Sequence, residues 1–377
     1  MSARSPRRRA APPSSGPDSP EFPTPNPHLK KAKSSNFSTI NLWDEEEIAL
    51  NFGPAGPALE PGATVGNIKI IEKIGEGSQS AIYRGYQPTR DRVVAVKVLS
   101  PESVESDDRV RGFHREADLA SRVYHPGLVA SYGWEFDSGL HFYPMKLMEG
   151  PTLHEFIQNA FGKRGDLFFK EAASLFADLC RAVAELHSND VAHLDIRPSN
   201  MFLESGERLV LGSFAAARDV REWSKKSRTQ DEEIDMTTLA YWAPERFVQS
   251  PARRSIDFRN DIYSLGMSLY ELLTGVLPFP DCDMANMARL KLTRKPPSPR
   301  QHLAEVPLGL EAVVRQALDI HLELRYQNAG EMARDLDRFS NQRRTGTRKH
   351  PSDSTPTDYE SDEDTLDGPD PQPAPIS

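Results

Sequence analysis

Cysteine is scarce. The 377-residue chain has two, Cys180 and Cys282, too few for a disulfide framework and wrongly spaced for a zinc site. Their rarity fits a reducing, cytoplasmic setting, and both read as buried or idle thiols. Long apolar runs are also missing. No stretch approaches the roughly 18 residues that a membrane-spanning helix requires, so no membrane span is expected. Arg4, Arg7, Arg8 and Arg9 are followed by proline rather than by an apolar run, so no signal peptide is expected. Positive charge is not in excess. The net charge is −9, which argues against nucleic acid as a partner.

Proline, by contrast, is abundant, with 31 residues gathered towards the two ends. Residues 1–65 are rich in Pro, Ser and Arg, and are expected to be a disordered tail. Residues 341–377, with Asp358, Glu360, Asp362, Glu363 and Asp364, are expected to be a second, acidic one. An apolar island from Phe37 to Phe52, including Trp43, could dock on the folded part or on a partner. Residues 66–340 are expected to form one folded domain.

The folded part opens with alternating residues from Ile68 to Ile74, a strand. Gly75-Glu76-Gly77 follows, and its glycines would let a hairpin backbone come close to phosphate oxygens. Val93 to Val98 is a buried strand interrupted by Lys97. A lysine there is costly unless it is paired. A partner is at hand. Asp107 to Tyr124 has helical periodicity, with Val110, Phe113, Ala117, Ala120 and Val123 on one face and Glu116 beside it. Strands are expected near Val129–Phe136 and Leu140–Leu147, and helices over Phe169–Ser188 and Asp261–Thr274.

Glycine loop, Lys97 and Glu116, in that order and spacing, resemble the N-terminal lobe of the eukaryotic-type serine/threonine protein kinases and their bacterial relatives. Further along, His193-Leu194-Asp195-Ile196-Arg197-Pro198-Ser199-Asn200 resembles the family's catalytic loop, and Ala243-Pro244-Glu245 its substrate-docking end. The resemblance implies an α+β, two-lobed protein-kinase-like fold, with a small β-rich N-lobe and a larger helical C-lobe. It implies ATP and Mg²⁺ as cofactors and a protein substrate or partner. Gly75, Gly77, Ile82, Ala95, Lys97, Met145, Lys146, Met148 and Phe202 would then bind ATP. Met145 would be the gatekeeper, and the backbone of Lys146 and Met148 would bond adenine. Lys97, paired to Glu116, would hold the α- and β-phosphates. Asp195 would orient the attacking hydroxyl and accept its proton, Arg197 would place a cation near the γ-phosphate, and Asn200 would bind metal. Thr238 would bond Asp195 and Arg197, Asp261 would cap the catalytic loop, and Glu245 would pair with Arg325.

The sequence departs from the family at informative places. Leu194 replaces an arginine that pairs with an activation-loop phosphate, so switching here is expected not to need one, despite Ser224, Ser227, Thr229 and Thr237. Ser213, in Leu211-Gly212-Ser213-Phe214-Ala215, replaces the family's metal-binding Asp. A neutral hydroxyl is a poor ligand for a hard cation. Two outcomes stay open: a kinase with impaired transfer, or a catalytically inactive pseudokinase acting as a scaffold or allosteric module. Against either, a nearby acid such as Glu204 could rescue metal binding at Asn200 and Ser213.

Overall fold

Alternation of apolar and polar side chains makes the first third of the ordered chain a sheet. The computed structural model describes residues 59–159, 165–222, 236–248, 257–279 and 283–341. Both expected tails beyond those limits, the Phe37–Phe52 island, Ser224, Ser227, Thr229 and Cys282 lie outside the described residues.

Strands β1 (Thr64–Val65), β2 (Ile68–Glu76), β3 (Ser80–Gln87) and β4 (Arg92–Leu99) come first. Helix α1 (Pro101–Val104), helix α2 (Asp107–Arg122) and strands β5 (Glu135–Asp137) and β6 (Leu140–Lys146) follow. They form a six-stranded sheet in the order β1-β2-β3-β4-β6-β5, with antiparallel neighbours. One face is a dry core of Ile68, Ile70, Ala81, Tyr83, Val94, Val96, Val98 and Phe142. Because side chains alternate along a strand, Ala95 and Lys97 are turned to the opposite face.

The rest is helical: α3 (Leu153–Asn159), α4 (Asp166–Ser188), α5 (Met236–Leu239), α6 (Arg259–Thr274), α7 (Met284–Thr293), α8 (Pro299–His302), α9 (Leu308–Ala317) and α10 (Ala329–Ser340). Two short antiparallel strand pairs are inserted among them. Strand β7 (Val191–Ala192) pairs with β10 (Arg218–Asp219), and β8 (Met201–Glu204) with β9 (Arg208–Leu211). Helix α6 is buried from Asn260 to Thr274 and ends at Gly275, which takes φ +78° as a left-handed cap. Its apolar residues share one core with Phe176, Leu179 and Val183 of α4 and Leu336 of α10. This is the α+β, two-lobed arrangement that the resemblance implied.

The expected strand over Val129–Phe136 is a correction. Only Glu135–Asp137 forms a strand. Ahead of it the chain makes single bridges, Leu128 to Leu211 and Ser131 to Met145. Leu128 and Val129 are buried, but Tyr132, Trp134 and Phe136 are exposed, so most of this run is a surface connection pinned by single bridges. The other expected elements differ only at their ends, where caps decide.

Candidate active site

The site is assembled where the second face of the sheet meets the loops below it. Cross-strand register puts Ile82, Lys97 and Tyr143 in one row, and Arg84, Ala95 and Met145 in the next. Helix α2 closes one side. Its buried face carries Phe113, Glu116, Ala117 and Ala120. Lys97 Nζ donates to both Glu116 oxygens, at 2.7 and 2.8 Å. The Tyr143 hydroxyl donates to Glu116 Oε1 at 2.9 Å. Burial and the neighbouring Glu116 push the Tyr143 phenol well above its ordinary pKa, so it remains a donor. Sequence reasoning missed Tyr143. Its register position opposite Lys97 was the available signal.

The glycine loop is the β2–β3 hairpin. The Gly77 N–H donates to the Ser80 carbonyl at 2.8 Å. On the far side, β6 runs out at Lys146 and the chain crosses to the lower lobe through residues 147–150. The Lys146 N–H already donates to the Ala130 carbonyl at 2.8 Å. Only its carbonyl is left for a nucleotide, which narrows the expectation for that backbone. The Phe202 ring lies against Gly212, where a Cβ would come 3.3 Å from Cε2.

The catalytic-loop residues lie between β7 and β8 and are held from beneath. Asp261, fully buried, accepts the His193 and Leu194 N–H groups at 2.8 Å each, and contacts His187 Nε2 at 2.9 Å. Against the cost of burial, His187, His193 and the His193 amide hydrogen hold its carboxyl below the usual range. His193 Nε2 lies 3.0 Å from the Gly212 carbonyl, and Nδ1 lies 3.3 Å from the Asp195 N–H. Both contacts are satisfied by the neutral ring carrying its proton on Nε2, and burial lowers its pKa. Leu194 takes φ +63°, unusual for a bulky residue. Its carbonyl accepts from Arg246 Nη1 at 2.6 Å, and that guanidinium also stacks 3.9 Å from the Trp242 ring. Phe214 packs edge-on to His193, with centroids 5.0 Å apart, and joins the core shared with Leu119 and Ala120 of α2.

Asp195 and Asn200 are in direct contact. Asn200 Nδ2 donates to the Asp195 carbonyl and to Oδ2, both at 2.8 Å. Arg197 Nε stands 3.3 Å from Asp195 Oδ1. Burial raises the Asp195 carboxyl above its ordinary pKa, with Arg197, His193 and Asn200 opposing the shift. The expected Thr238 contact is a correction. Arg197 Nη1 donates to Thr237 Oγ1 at 2.9 Å, one residue earlier, while Thr238 lines the cleft. The helical turn of α5 places neighbouring residues on different sides, so a shift of one residue changes which hydroxyl points at the loop. Glu245 pairs with the buried Arg325 at 2.9 and 3.2 Å, as expected.

A cleft of about 470 Å³ unites Gly77, Lys97, Glu116, Asp195, Arg197 and Ser213, together with Arg109, Arg115 and Arg246. Gly75, Ile82, Ala95, Met145, Lys146, Met148, Phe202 and Asn200 do not line it. A larger cleft, about 740 Å³, opens around Pro296, Pro299 and Leu318. It holds none of these residues, so chemistry rather than size selects the site.

The residues fit Mg²⁺ poorly. Mg²⁺ is held by one or two carboxylates together with substrate phosphates. Here Asn200 offers only its Oδ1, since its amide nitrogen is donating to Asp195. Ser213 offers a neutral hydroxyl at φ +63°. Glu204, the acid expected as a substitute, is ion-paired to Lys146 and lies near Arg208 Nη1. It also sits at the far end of β8, four strand positions from Asn200 and so about 13 Å away along the chain. Among the described residues no cluster of three or more His, Cys, Asp or Glu side chains could hold a metal.

Comparison with known proteins agrees with this architecture. Residues 68–330 match the protein kinase domain family. The chain is 32% identical over 278 residues to the serine/threonine-protein kinase PknB of Mycobacterium tuberculosis, covering 72% of this chain and 43% of that protein. It is 29% identical over 271 residues to the serine/threonine-protein kinase PrkC of Bacillus subtilis, covering 72% and 40%. The chain therefore spans about two fifths of the length of these relatives. The crystal structure of the Mycobacterium tuberculosis PknI kinase domain superposes with a TM-score of 0.56 at 22% identity, covering 75% of this chain and all of that one. No helix among the described residues is long and apolar enough to cross a membrane.

Proposed function

Since the chain belongs to the protein kinase domain family, of the bacterial serine/threonine type, we propose that it binds ATP between its lobes and transfers the γ-phosphoryl slowly to Ser or Thr hydroxyls of proteins. The family generally uses ATP with Mg²⁺. The observation that carries the reading is the joint presence of the Lys97–Glu116 pair and Asp195 in one cleft, with Asn200 bonded to Asp195 from outside its lining.

In this reading Lys97, held by Glu116, grips the α- and β-phosphates. Asp195 orients the acceptor hydroxyl and takes its proton as the new O–P bond forms and the bond to ADP breaks. Its raised pKa makes it a stronger base than an exposed aspartate. Arg197 offsets charge on the transferring group. The loss of the acid at Ser213 lowers the rate, by roughly 10²–10³ if it resembles the loss of one preorganised catalytic group.

The second reading is a pseudokinase that scaffolds or allosterically controls another protein. It is favoured by Ser213 and by the engagement of Glu204 elsewhere. Labelled ATP with Mg²⁺ or Mn²⁺ separates the two. Phosphate incorporation by the wild type that disappears in Asp195→Asn supports the kinase. Incorporation only by Ser213→Asp establishes the pseudokinase. Ser213→Asp suits the backbone, because Asp is enriched at left-handed φ.

A further inference from the structure

The poor fit for Mg²⁺ coincides with a surplus of cations in the same cleft. Lys97, Arg109, Arg115, Arg197 and Arg246 line it, against Asp108, Glu116 and Asp195. Each of those acids already faces a cation. Glu116 is bonded to Lys97, Asp195 faces Arg197, and Asp108 pairs with Arg111 at 2.5 Å. Arg109 and Arg115 belong to helix α2, on either side of Gly112, opposite the glycine loop. Among the described residues neither has an acidic partner. Their charge lies in the same cleft as Lys97 and Ser213, where the family's aspartate is replaced by a neutral hydroxyl.

We infer that this cleft binds the polyphosphate of a nucleoside triphosphate without a divalent cation, with Arg109 and Arg115 supplying the neutralising charge. The inference rests on the nucleotide-binding part of the proposed function. Guanidinium groups suit the role, because they are permanently charged and present forked donors to phosphate oxygens. A free triphosphate carries two more negative charges than its Mg²⁺ complex. A cleft with surplus cations and few metal ligands should therefore prefer the uncomplexed form. A carboxylate at Ser213 would reverse that preference by both repelling the free anion and attracting the metal complex.

Equilibrium binding of ATP by calorimetry tests this with the full-length chain, in EDTA and in excess Mg²⁺. Tripolyphosphate and adenosine serve as competitors. The expected result is binding in EDTA that Mg²⁺ weakens by about threefold or more, as expected if Coulomb attraction to the free anion dominates. Tripolyphosphate should compete in EDTA better than adenosine. The double variant Arg109→Gln/Arg115→Gln should lose about tenfold in EDTA and much less in Mg²⁺. Both side chains are exposed, so folding should be unaffected. In Ser213→Asp the sign should invert, with Mg²⁺ strengthening binding. Wild-type binding that needs Mg²⁺ overturns the inference and leaves the proposed function standing. Unchanged EDTA affinity in the double variant also overturns it. Binding in neither condition overturns both.

Discussion

Asp261 grips Leu194 by its backbone. Oδ1 accepts the Leu194 N–H at 2.8 Å while Leu194 holds φ +63°. A left-handed conformation costs an ordinary side chain roughly 1–2 kcal/mol. Here a buried carboxylate one α6 turn inside the core offsets that cost. The same carboxylate takes the His193 N–H through Oδ2, so two consecutive amides share one anchor.

Asp261→Asn should therefore destabilise the fold by about 3 kcal/mol, because it replaces a buried charged acceptor by a group whose NH₂ faces donors. Urea unfolding measures this. A loss under about 1 kcal/mol would show that other contacts hold the loop.

Tyr143→Phe removes one donor from buried Glu116 and leaves Lys97 in place. The expected loss of stability is about 1–2 kcal/mol. Affinity for ATP should change less than about twofold, since Lys97 still has its partner. Paired unfolding and binding measurements check both, and a large loss of affinity would mean that the phenol also positions the lysine.

The raised pKa of Asp195 has a definite sign. Burial disfavours its ionised form, so the folded protein binds this proton more tightly than the unfolded chain does. Its stabilising contribution is complete below the unfolded carboxyl value near 3.8 and is lost as pH rises through the raised folded value. Asp195→Asn should thus melt higher than wild type at pH 7, with the gap closing below about pH 4, while abolishing phosphoryl transfer. Thermal unfolding across that pH range reads it. A gap that widens in acid would contradict the assignment.

Gly150→Ala meets backbone rather than side chain. Its Cβ would stand 2.1 Å from the Leu203 carbonyl oxygen. That segment is tied down, since the Leu203 N–H donates to the Pro151 carbonyl at 2.9 Å. The connection between the lobes must shift, with an expected loss of about 2–3 kcal/mol. A melting temperature unchanged within error would mean that the crossing relaxes freely.

Residues at fixed separations along the chain were the most legible. The Lys97–Glu116 pair follows from a lysine that is costly to bury alone, while the Asp261 anchor and the Glu245–Arg325 pair were legible through the family resemblance. The connection at Val129 was misread because Tyr132, Trp134 and Phe136 alternate with other residues as in a strand, although all three are exposed. Thr237 was missed because α5 is a single turn, too short for a periodic pattern. Arg109 and Arg115 were invisible because nothing in a surface helix's sequence says which exposed arginine borders a cleft. Tyr143 and Arg246 act through tertiary contacts with Glu116 and with the Leu194 carbonyl, which strand and loop composition do not encode.

Lys291 of α7 is wholly buried, and its Nζ donates to the Ala240 and Trp242 carbonyls at 2.6 Å each, 4.9 Å from the Tyr263 ring. Burial drives its pKa well below the usual lysine value, which would make it a reactive amine if reagents could reach it. They reach it only when the Ala240–Trp242 segment lifts away. The rate at which an acylating reagent tags this one amine would then clock how often the Ala240–Trp242 segment opens, whether or not any phosphate is ever moved.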